Sequence, residues 1–148
     1  MTQLSLTIEV SLNRLLKIII AVAIVIAIPK VVTKVMLPDR KAGLSTQMAG
    51  VVAEANKGLP RKIDASTTLT KAEFDDNVYR IHYTMDPGAT IDTSQQQTYK
   101  NFAVKQICGS NMQMMLDNKI TIEYLYTFNP DGRGDQTMAI SIPPGSCR

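Results

Sequence analysis

Residues 18–28 read IIIAVAIVIAI, eleven positions with no charged or polar side chain. Arg14 and Lys17 precede the run, and Lys30, Lys34, Arg40 and Lys41 follow it. So greasy a stretch has to leave water, and where it goes sets the compartment of everything after it. A helix spanning a bilayer needs about 20 mostly apolar residues. The run reaches that length only as residues 15–37, where lysines near the ends snorkel to the interface and Pro29 kinks or ends the helix. Three readings follow. The preferred one is an uncleaved signal anchor that holds a domain outside the cytoplasm. A cleaved secretory signal fits the basic start and apolar middle, yet no small-residue cleavage point follows Ile28. The third is a buried or interface helix of a cytoplasmic protein. The heavier basic flank on the C-terminal side runs against export under the positive-inside rule. No cysteine follows the run closely enough to carry a lipid.

The chain divides into a tail, anchor and linker over residues 1–42 and one domain over 43–148. Its net charge of +3 is not a property of that domain. Residues 1–41 hold six basic and two acidic side chains, and residues 42–148 hold ten and eleven. The basic excess therefore sits beside the anchor, where it meets anionic headgroups. A nucleic-acid partner loses its electrostatic term and is not expected. The two cysteines, Cys108 and Cys147, suggest a disulfide if the compartment oxidises. The alternative is two independent thiols.

Past the linker, residues 44–57 read as a helix, with Leu44, Met48, Val51, Val52 and Ala55 recurring at three and four. Gly58 and Pro60 stop it. Residues 67–74 and 78–85 form two strands around Asp75, Asp76 and Asn77, a short hairpin turn. Tyr79, Ile81, Tyr83 and Met85 share one face, and Val78, Arg80, His82 and Thr84 the other. A second helix runs from about residue 92 to 107, with an inner stripe of Tyr99, Phe102, Ala103, Gln106 and Ile107. A short helix over 112–117 follows. Strands at 120–128 and 136–142 then flank the loop NPDGRGD. The order helix, hairpin, helices, hairpin predicts an α+β two-layer sandwich (α-β-β-α-β-β). Its four-stranded sheet is mainly antiparallel, with helices on one face.

The candidate sites are few. His82 is the only histidine and has no orienting partner adjacent in sequence, so it reads as a sheet-face residue rather than a general base. Asp75 and Asp76 read as turn residues, and the loop from Asp131 to Asp135 lacks the spacing of a calcium loop. No metal, cofactor or catalytic residue is expected. Arg133, Gly134 and Asp135 spell the integrin tripeptide, although a hairpin loop already explains Gly and Asp. Met112, Met114 and Met115 offer either an adaptable surface or, at helical spacing, core. A face with four tyrosines is expected to be only partly closed, because a buried hydroxyl wants a partner. A groove lined by Tyr83, Tyr124, Tyr126, Met112 and Met115 would then accept an envelope protein or a peptide segment. The rival reading has the same rings sealing the core.

The run Leu59-Pro60, Ile63-Asp64, Thr67, Leu69, Tyr79 and His82-Tyr83-Thr84, with Ile107-Cys108, Met112, Leu116, Tyr124-Leu125-Tyr126, Gly132 and Cys147, resembles small envelope proteins of Gram-negative bacteria. These are similar to the pilotin-like proteins of type II secretion. The likeness covers about residues 44–148 and departs from a true pilotin in lacking a lipidated cysteine. It implies an α+β sandwich with a helix-to-C-terminus disulfide, and a periplasmic domain held in the inner membrane through residues 15–37. The function expected is non-enzymatic binding of another envelope protein, as a secretion accessory. The alternatives are an immunity protein against a periplasmic toxin and a small cell-wall enzyme or inhibitor.

Overall fold

The computed structural model describes residues 43–148. The anchor expected over 15–37 and the linker to residue 42 lie outside the described residues. Helix α1 spans Leu44–Ala55, and strand β1 is the pair Arg61–Lys62. Strands β2 (Thr67–Asp75) and β3 (Val78–Met85) follow. A single 3-10 turn, Thr93–Gln95, leads into α2 (Gln96–Ile107), and a short α3 (Gln113–Asp117) precedes β4 (Thr121–Phe128) and β5 (Gln136–Ile142). One sheet holds all five strands in sequence order.

One expectation about the sheet is corrected. It has five strands rather than four, because β1 adds to the edge of β2. The two hairpins also meet through β3 and β4, which run parallel, Tyr79 beside Ile122 and Tyr83 beside Tyr126. Antiparallel strands need only a tight turn, whereas parallel ones need a crossover, and α2 and α3 supply it. The remaining pairings are antiparallel, so the sheet is mainly so.

Period-two alternation decides which face is buried. Tyr79, Ile81 and Tyr83 of β3, Ile122, Tyr124, Tyr126 and Phe128 of β4, and Met138, Ile140 and Ile142 of β5 all point inward. Strand β2 breaks the rule. Leu69 and Ala72 are both buried although three residues apart. A bulge between Leu69 and Lys71 inserts the extra residue that restores phase. The β2–β3 turn places Asp76 at φ 48° and Asn77 at φ 59°. Both lie in the left-handed region a two-residue primed turn requires, and Asp and Asn tolerate it best after glycine.

The helices cover this inner face. Helix α1 brings Met48 and Val51 against β2, and α2 brings Ala103 and Ile107 against β5. Tyr99 and Phe102 of the expected stripe are only partly buried. Asp92 starts the second helix by accepting a hydrogen bond from the Ser94 backbone N–H.

Asn56, at the end of α1, closes a gap that β1 leaves. Its amide Nδ2 donates to the carbonyl of Ala72 at 2.8 Å, and its Oδ1 accepts from the Ala72 N–H at 2.8 Å. One side chain thus replaces the missing strand neighbour of β2. Asn56→Ala would leave both buried backbone groups unpaired. We expect a loss of about 2 kcal/mol in denaturant unfolding and faster hydrogen exchange at the Ala72 amide.

Candidate functional site

The inner face carries a tyrosine stack. The rings of Tyr83 and Tyr126 lie 5.0 Å apart and 13° from parallel, and Tyr83 and Tyr124 lie 6.4 Å apart at 28°. Strand pairing builds this, because Tyr83 and Tyr126 are register partners across the parallel junction. Tyr126 is 4 % exposed, and Tyr83, Tyr124, Met112 and Met115 are 1 % or less. The five side chains expected to line a groove therefore lie in the core and offer no surface to a partner in this structure. The hydroxyls did not hold the layer open. Those of Tyr79 and Tyr124 are buried with no hydrogen-bond partner among the described residues. Burial raises the pKa of all four rings, pushing Tyr79 up to about 12. Met114, on the same helix, packs at the edge of the core.

The outer face of the sheet carries the charges. His82 Nε2 lies 2.9 Å from Glu73 Oε1, and Lys71 holds the other carboxylate oxygen of Glu73. The Lys71 ammonium, and after it His82, keeps the Glu73 carboxyl below its ordinary range. Next to this pair, Arg80 Nε donates to Glu123 Oε2 at 2.8 Å, directly across the parallel junction. His82 thus has a carboxylate partner after all, supplied by a strand nine residues upstream. Lys71 is exposed, whereas Glu73, His82, Arg80 and Glu123 are partly buried. Cross-strand charge pairs of this kind fix register and are worth about 0.2–1 kcal/mol each.

The remaining candidates sit apart from one another. Asp76 is an exposed turn residue, as expected, whereas Asp75 is the exposed last residue of β2, paired with Val78. Arg133 Nε pairs with Asp131 Oδ2 at 2.9 Å, and Asp131 Oδ1 also accepts from the Arg133 N–H. The loop holding Gly134 and Asp135 is exposed from Asp131 to Asp135. Among the described residues, no group of three or more His, Cys, Asp or Glu side chains is placed to hold a metal.

Cys108 and Cys147 form a disulfide. Cys108 caps the C-terminus of α2, and Cys147 packs against the core in the tail after β5. The bridge staples the crossover helix to the strand it covers. Among the described residues, no helix is long and apolar enough to cross a membrane.

No protein-family model matches the chain, and no curated protein matches it. A crystal structure of a Pseudomonas aeruginosa protein, described as a "putative secreted protein", has the same fold. The two share 18 % identity at a TM-score of 0.59, over 72 % of this chain and 99 % of that one. The arrangement of helices and mixed sheet described above is thus one that a second, distantly similar chain adopts.

Proposed function

We propose that this is an envelope protein of a Gram-negative cell, tethered in the inner membrane through residues 15–37, with residues 43–148 in the periplasm. There it binds another envelope protein and carries out no reaction of its own. Pilotin-like service to a secretion system is the sharper form. The observation that carries the reading is the Cys108–Cys147 bridge, because such bonds persist in oxidising compartments and are rare in the cytosol. The apolar run at 18–28 and the fold shared with a protein described as secreted support it. The charged outer face supports a binding role. Its one His–carboxylate pair is tied to Lys71 on the sheet surface, beside a second ion pair.

A periplasm-active reporter fused after Arg148 tests the placement. Activity is expected, and activity only from a cytoplasm-dependent reporter would refute the export of the domain. The binding role is tested by photo-crosslinking in intact cells from the exposed outer-face position Thr84. A discrete adduct with an envelope protein is expected. Turnover of a cell-wall substrate by the purified chain would overturn the non-enzymatic reading.

A further inference from the structure

The two edges of the sheet are finished in different ways. On the β2 side, several common guards against strand addition are present. Strand β1 is two residues long, both basic and exposed, and Pro60 precedes it. A bulge interrupts β2, and the Asn56 side chain fills the gap at Ala72. On the other side, β5 runs for seven residues with no charge, proline or bulge. It has no strand neighbour on its outer side among the described residues. Among the described residues, Gln96 touches that edge, its Nε2 donating to the Ala139 carbonyl. That bond fixes the polarity of the strand. Residues whose C=O turns away from β4 alternate, so Thr137, Ala139 and Ser141 present their N–H and C=O groups outward.

We infer that β5 is a pairing edge and that its partner is β5 of a second copy, joined antiparallel about a two-fold axis at Ala139. The edge is self-complementary. Ala139 faces itself, and Thr137 faces Ser141 of the other copy, an uncharged hydrogen-bonding pair on the outer side. Residues 136–142 contain no charge to repel an identical strand. Met138 and Ile140, already buried beneath β5, extend both cores across the seam. The exposed Gln96 amide holds the place of the incoming strand at one carbonyl and gives way to it.

Cysteine crosslinking of the full-length chain in isolated membranes, oxidised with copper-phenanthroline, reads the register directly. It does so wherever the domain resides. Paired residues at such a site have Cα atoms about 5.5 Å apart, which suits a disulfide. Ala139→Cys is expected to crosslink to itself. Thr137→Cys is expected to crosslink to co-expressed Ser141→Cys but not to itself, and Thr84→Cys, exposed away from the edge, to remain single. Ala139→Pro removes an outward N–H while sparing the β4 ladder. It should abolish the dimer seen by light scattering in detergent while keeping the native Cys108–Cys147 bond. No self-crosslink at Ala139→Cys, equal yields at all positions, or a monomeric mass for the unmodified chain would each overturn the proposal.

Discussion

Raising the pH through about 10 is expected to unfold this domain steeply, well before the backbone itself is damaged. The cause is the tyrosine layer. Tyr79, Tyr83, Tyr124 and Tyr126 are buried, and burial raises each phenol above its ordinary value of 10.0. In the unfolded chain these groups release their protons near pH 10, and in the folded chain they hold them. A raised folded pKa on an acid that is neutral when protonated gives stability that is complete below the unfolded value. That stability is lost as pH climbs above it. Each retained proton costs about 1.4 kcal/mol per pH unit in that window, so four acting together cost roughly 5 kcal/mol per unit. A domain of this size has only about 5–15 kcal/mol in total. The window opens near pH 10 and, for Tyr79, closes near its folded value of about 12. Urea midpoints measured from neutral pH upward should fall sharply there, and tyrosinate absorbance from the four buried rings should appear with unfolding rather than before it, the partly buried Tyr99 standing outside the layer. Gradual ionisation of those four rings in the native domain would sink the idea. Tyr124→Phe sharpens the test. It removes about a quarter of the slope, and because the lost hydroxyl has no partner it should not destabilise at neutral pH.

That layer also shows how far the sequence can be read. Alternation in β3, β4 and β5 identifies the inward residues one by one, since period two leaves each side chain a single choice of face. The same reasoning fails in β2, where the bulge at Leu69–Lys71 shifts the phase and no residue type announces it. Strand β1 is too short to have a period at all. The parallel meeting of β3 and β4 is not written in either strand. It follows from where the crossover helices lie, and with it come the contacts of Tyr83 with Tyr126 and of Arg80 with Glu123. Glu73 beside His82 and Asn56 around Ala72 are likewise products of register and packing. The groove expected beside the tyrosines rested on the cost of an unpaired hydroxyl. Here the area buried by each ring and its stacking outweigh that cost for Tyr79 and Tyr124. The disulfide was legible as a pair of cysteines, but its geometric reason, a helix end brought over the tail of β5, was not.

Breaking the Cys108–Cys147 bond is expected to cost roughly 2–5 kcal/mol, the usual effect of losing a native disulfide from a small domain. The bridge closes a loop of 39 positions that contains α3, β4 and β5. Without it the unfolded chain regains the freedom of that whole loop, worth about 4 kcal/mol in the chain-entropy account. The folded chain loses little else, because α2 still buries Ala103 and Ile107. Cys147→Ser, or the double variant that avoids a stray thiol, should lower the urea midpoint and steepen its slope, because the unbridged denatured chain exposes more surface. Native-state hydrogen exchange should show the loss spread over the domain rather than confined to residues 143–148. A loss confined to that tail would mean that the bond only tethers the terminus. Mass spectrometry of the untreated chain should find it two hydrogens lighter than its reduced form. Two free thiols after expression with the N-terminal segment intact would remove both the stability effect and the observation on which the periplasmic placement rests.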